Sequence, residues 1–173
     1  AAKVEAEEAA RAAAEAAAKA EAERLAAEKA AAEKAAAEAA ARAEAERLAA
    51  EKAAAEKLAA DRARMALENS KNIHFSIGSF HINKKADADL AVLADWLKAH
   101  PDFYLALVGY ADKGTGSPKV NMEVSKKRMS VVIARLEKLG VESSRVTTDY
   151  KGDTVQPFAV NDMNRVVTCT IIP

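Results

Sequence analysis

Residues 1–68 contain no glycine, no proline, no aromatic residue and, apart from Val4, no β-branched residue. Almost every position there is Ala, Glu, Lys or Arg. Such a segment has no turn residues to reverse its direction and too little apolar bulk to build a core. A long helix is what remains open to it, because alanine has the highest helix propensity and Glu, Lys and Arg follow closely. The segment also repeats itself: residues 12–34 and 35–57 are identical except that Lys19 becomes Arg42. Opposite charges recur four apart, as in Lys3 and Glu7, Glu15 and Lys19, Arg24 and Glu28, Lys34 and Glu38, and Lys52 and Glu56. Each pair adds about 0.2–0.5 kcal/mol to an exposed helix. At 1.5 Å per residue the segment would reach roughly 100 Å.

The larger apolar residues of this segment are few. Val4, Leu25, Leu58 and Met65 fall within about 60° of one another on a helical cylinder. Leu48, the repeat partner of Leu25, lies roughly 140° away from it. A heptad seam needs regular steps of three and four, and this pattern does not keep them. We read residues 1–68 as a single solvated helical stalk acting as a spacer, with weak helix self-association as the alternative.

Every glycine, proline and aromatic residue lies after residue 69. The globular part is therefore about a hundred residues, enough for one modest core. The formal net charge is zero, which gives no field to attract nucleic acid or an anionic membrane. No apolar run approaches the length of a membrane span, so no membrane contact is expected of these residues. The chain begins with Ala1 and shows no signal peptide. This reads as a fragment or processed product of something longer, with any anchor outside it. The lone cysteine, Cys169, excludes an internal disulfide and reads as a small buried hydrophobe in an alternating strand.

Asn69-Ser70-Lys71-Asn72 breaks the helical pattern and reads as a linker over residues 69–72. Beyond it, residues 73–77 alternate as a strand does. Asn83 can cap a helix over residues 84–99, whose Leu90, Leu93 and Leu97 share a face, and Pro101 stops it. Residues 103–110 form a compact apolar strand. Ser117-Pro118 is a helix start, and Gly140 ends that helix. Residues 145–150 and 165–172 read as two further strands. The order β-α-β-α-β-β places two helices on one face of a mixed sheet. The expected architecture is thus α+β: a stalk over 1–68, a linker over 69–72 and a domain over 73–173.

The most informative stretch runs from Gly109 to Arg128. A strand ends at Asp112, a glycine-rich turn follows, and a helix begins. Asn121, Ser125 and Arg128 form one polar line on that helix. Arg128 also falls in register with Val124, Val131 and Val132, where a core residue would be expected, so the arginine needs a partner. Two readings of Asp112 and Arg128 are open. They form a direct salt bridge, or they stand apart and clamp a zwitterion, with Asp112 on the ammonium and Arg128 on the carboxylate.

The same stretch resembles the signature of the OmpA-like superfamily, which includes OmpA C-terminal domains, the peptidoglycan-associated lipoprotein and MotB. The family pattern G-[HYN]-T-D, a glycine turn and N-x-x-L-S-x-x-R is matched by Gly109-Tyr110-Ala111-Asp112, Asn121, Val124-Ser125 and Arg128. Gly152-Asp153, Pro157, Asn161 and Asn164-Arg165 match the downstream pattern. The resemblance covers residues 73–173 and implies non-covalent binding of peptidoglycan in the periplasm, by a domain attached to the outer membrane or cell envelope. It implies that Asp112 and Arg128 grip the diaminopimelate of the stem peptide, with Asn121, Val124, Ser125 and Arg165 in support. The family's Phe-Asp near the end of the first strand is replaced here by Ile77-Gly78. The stalk's Ala/charge texture resembles the helical middle region of TolA.

Other constellations carry no chemistry. His74, His81 and His100 are dispersed without metal-ligand spacing. Asp149 and Asp153 flank a strand end, and the glycine turn lacks the ending of a phosphate-binding loop. Trp96 and Phe80 read as core. No nucleophile, base or cofactor set is found, and the expectation is a binding module that is not an enzyme.

Overall fold

The computed structural model describes residues 2–173. Helix α1 (Ala2–Asn69) occupies the Ala-rich segment, and the chain divides into two compact units between Glu56 and Lys57. In the first unit every described side chain is exposed. Lys34–Glu38 and Lys52–Glu56 approach to 4.0 Å, and Arg42 closes on Glu46 at 3.3 Å. Burying nothing of its own, this part of the helix rests on backbone bonds, propensity and such pairs. Among the described residues no helix is long and apolar enough to cross a membrane.

The second unit corrects the expected boundaries. The last turns of α1 are part of the domain: Ala66 is buried in its core, and Arg62 ion-pairs with Asp102 while lying 4.4 Å from the centroid of the Phe103 ring. The linker expected over 69–72 shrinks to Ser70. Asn69 closes the helix by donating to the Met65 carbonyl at 2.8 Å, and Lys71 already pairs in a sheet. Ser70 Oγ donates to the Ala66 carbonyl at 2.7 Å and accepts from Ile171 N at 2.9 Å, so even this residue is anchored.

The elements then run β1 (Lys71–His74), α2 (Lys84–Ala99), β2 (Tyr104–Tyr110), α3 (Pro118–Lys138), β3 (Val146–Gly152) and β4 (Val166–Ile172). Single 3-10 turns, Ser143–Arg145 and Asn161–Asn164, precede the last two strands. Asn83 caps α2 by accepting from Ala86 N at 2.9 Å. Ser117 caps α3, with Pro118 in its first turn. Arg145 closes the far end of α2 by donating to the carbonyls of Leu97 at 2.9 Å and His100 at 2.7 Å.

The sheet is mixed, in the order β1-β4-β2-β3, with β2 and β3 parallel and β4 antiparallel to both β1 and β2. Leu105 and Leu107 of β2 alternate inward with Val167, Cys169 and Ile171 of β4. Against this one face pack Leu90, Leu93 and Leu97 of α2 and Met129, Val132 and Leu136 of α3. The expected β-α-β-α-β-β arrangement with both helices on one face is the fold observed. Cys169 is fully buried, and burial pushes its thiol up to about 12. Trp96 packs partly buried against the core, stacked on His100 at 3.9 Å. The first strand ends at His74 rather than continuing to residue 77, because its partner β4 begins at Val166.

Candidate functional site

Strand β2 delivers Ala111 and Asp112 to the sheet's end, and the Ala111 N–H is fixed by the Gly152 carbonyl at 2.7 Å. Helix α3 turns Asn121, Ser125 and Arg128 toward the sheet, all three buried. Asp112 is 2% exposed and Arg128 1%. They line one cleft of about 180 Å³ together with Ile77, Gly78, Thr115, Gly116, Val120, Asn121 and Val124.

The two charges are held separately. Asp112 Oδ2 accepts from Thr115 Oγ1 at 2.9 Å and Asn161 Nδ2 at 3.1 Å, and lies 3.7 Å from Arg165 Nη1. All of these partners use Oδ2, which leaves Oδ1 free to accept. Arg128 donates to three carbonyls: Nε to Ser79 at 3.3 Å, Nη1 to Tyr110 at 3.4 Å and Nη2 to Ser76 at 3.4 Å. It forms no salt bridge with Asp112, so the direct-pair reading does not hold. Burial pushes the Arg128 guanidinium down to about 10, opposed by the nearby Asp112 charge and reinforced by Arg165. A buried cation with dipoles but no bonded carboxylate suits an incoming anion.

The supporting residues divide by role. Asn121 Nδ2 ties the Asp112 carbonyl at 3.2 Å to Asp153 Oδ2 at 2.8 Å, fixing the cleft floor. Val124 is half-buried on the cleft wall. Ser125 does not line the cleft: its Oγ donates to the Met122 carbonyl at 2.7 Å and accepts from Gly152 N at 3.2 Å, joining α3 to β3. Arg165 reaches Asp112 from the start of β4 and pairs with Asp162 at 2.8 Å.

Sequence reasoning did not assign Thr115, Asn161, Asp153 or the loop carbonyls to the site. Asn161 and Asp153 stood inside the matched pattern, and that was the available signal. The carbonyls had none. Asp149 is engaged by Lys151 at 2.6 Å and Asp153 by Asn121, so the two acids have separate partners. Among the described residues no cluster of three or more His, Cys, Asp or Glu could hold a metal.

A mixed sheet covered on one face by two helices, with a buried cation and a buried carboxylate lining one small cleft, defines an α+β domain whose charged cleft lies at the end of its sheet. The chain belongs to the OmpA family, whose model matches residues 74–166. It is 34% identical over 98 residues to outer membrane protein 40 of Porphyromonas gingivalis, covering 57% of this chain and 26% of that protein. It is equally identical over the same length to outer membrane protein 41 of that organism. The chain thus spans about a quarter of the length of these curated relatives. The fold matches the peptidoglycan-associated lipoprotein of Burkholderia pseudomallei with a TM-score of 0.55 at 22% identity, over 58% of this chain and 89% of that one. It also matches the C-terminal domain of Helicobacter pylori MotB, with a TM-score of 0.52 at 21% identity, over 60% and 84% of the two chains.

Proposed function

We propose that the domain binds diaminopimelate-type peptidoglycan non-covalently and tethers an envelope protein to the cell wall in the periplasm. The free end of diaminopimelate carries an ammonium and a carboxylate on one carbon. Asp112 Oδ1 takes the ammonium and Arg128 takes the carboxylate. The observation that carries this reading is the separate anchoring of the two charges: each is fixed by other groups, and each keeps capacity facing the same cleft. Family membership and the fold shared with a peptidoglycan-associated lipoprotein support it. On this reading the cleft serves binding rather than catalysis, its two charges acting as a clamp.

Helix residues before Lys57 serve as a spacer. The irregular spacing of their few large apolar residues, Val4, Leu25 and Leu48, supports this over a seam, and sedimentation of residues 1–173 and 57–173 is expected to show the same association state. The decisive experiment is co-sedimentation of residues 1–173 with purified sacculi. The wild-type chain pellets with the sacculi, and Asp112→Ala and Arg128→Ala remain in solution. Equal pelleting of all three would sink the reading.

A further inference from the structure

The turn between β1 and α2 holds the guanidinium of Arg128 at the edge of the cleft. Over residues 76–79 the Ser79 N–H donates to the Ser76 carbonyl at 3.1 Å. Gly78 takes φ +62°, and no other residue of the turn has positive φ. This is the type II pattern, which needs glycine or asparagine at its third position. The carbonyls at the two ends of the turn, Ser76 and Ser79, are the ones that hold Arg128 Nη2 and Nε.

A guanidinium has five N–H groups. Two are spent on the turn and one on the Tyr110 carbonyl. One N–H therefore remains on each terminal nitrogen, the pair that meets the two oxygens of a carboxylate side by side. Arg128 has only donors to offer the ligand, and no protein carboxylate lies within ion-pair distance of it.

We infer, resting on the cleft reading above, that the 76–79 turn makes the cleft select an ionised carboxylate and reject the same ligand with that carboxylate amidated. A carboxamide presents one acceptor and one NH2. The NH2 would face a guanidinium N–H, donor against donor, leaving that N–H unpaired in a buried place. It would also bring no negative charge to the buried cation. Losing one hydrogen bond to a charged group in such a site weakens binding at least about tenfold. Gly78 is a positioning residue for this selection. A Cβ there meets nothing within 4 Å, so the constraint on it is the backbone angle, which a β-branched residue resists.

The test is calorimetric titration of residues 1–173 with two stem-peptide fragments. One carries meso-diaminopimelate with its side-chain carboxylate free, the other has that carboxylate as the carboxamide. The wild-type chain is expected to prefer the free form at least about tenfold. Gly78→Val is expected to reduce that preference below about threefold while unfolding stays cooperative, and Gly78→Asn, which tolerates positive φ, to retain it. Should Gly78→Val not fold, Gly78→Ala takes its place. Equal binding of both fragments by the wild type, or an unchanged preference in the turn variant, overturns the inference. Binding of neither fragment overturns the cleft reading itself, and this inference with it.

Discussion

Asp112 is paired with Arg165, at 3.7 Å, and not with Arg128. That choice of partner keeps the cleft open. Had the carboxylate closed on Arg128, each charge would satisfy the other and a ligand would have to break them apart. Arg165 comes from the far end of the domain sequence and approaches the Oδ2 of Asp112. Thr115 and Asn161 complete that grip.

Arg165→Ala is therefore expected to weaken binding to sacculi about threefold to tenfold, since Asp112 is then free to turn toward Arg128. The pair is largely shielded from solvent, so its loss also lowers stability by about 1–2 kcal/mol. Urea denaturation measures the second effect and co-sedimentation the first. Unchanged binding would show that Arg165 only orders the start of β4.

Asp153→Ala removes the acceptor of a buried Asn121 N–H. An unsatisfied buried donor costs about 1–3 kcal/mol. The unfolding free energy from urea denaturation is expected to fall by that amount, with affinity falling too because Asn121 no longer holds the Asp112 carbonyl rigidly. Asp153→Asn, which keeps an acceptor oxygen, is expected to recover most of both.

Cys169 gives a pH prediction. Burial raises its thiol to about 12 in the folded chain, from 9.0. The folded state then holds a proton that the unfolded state has lost, so the stability from this group is complete below pH 9 and declines as pH rises from 9 toward 12. Cys169→Ala is expected to flatten that decline relative to wild type. At pH 8 the thiol should react with an alkylating reagent only as fast as the domain opens, a rate readable by mass spectrometry.

The domain begins before its first strand. A chain starting at Lys57 is expected to melt at the temperature of the domain in the full chain. One starting at Ser70 loses Ala66 from the core and Arg62 from Asp102 and Phe103, and should melt several degrees lower, in line with about 1–3 kcal/mol. Scanning calorimetry on the two chains checks this.

How much of this was legible in the sequence depended on range. The α2 and α3 starts were readable because Asn83 and Ser117 cap within three residues of themselves. The long helix was readable from composition alone. The end of β1 was misread by three residues: Ile73, Phe75 and Ile77 keep alternating, yet pairing stops at the first residue of β4, and Ile77 ends exposed on the cleft rim. The helix-to-domain boundary was misread because Ala66 looks like any other alanine of the long helix. Arg128 was recognisable as an arginine in a core register that needed partners. Its partners were carbonyls 18 to 52 residues away, and a carbonyl leaves no mark on a sequence.

The strand order sets a schedule for the chain's synthesis. β4, the last strand made, lies between β1 and β2, so Lys71 must wait for Cys169 before it has a partner. Asn161 and Arg165, which set the Asp112 carboxylate, come just ahead of that strand. Chains emerge N-terminus first, and pairings this distant form late. A nascent chain therefore has a finished α1 but neither a closed sheet nor a set carboxylate. The cleft is complete only after the final strand is threaded into the middle of the sheet.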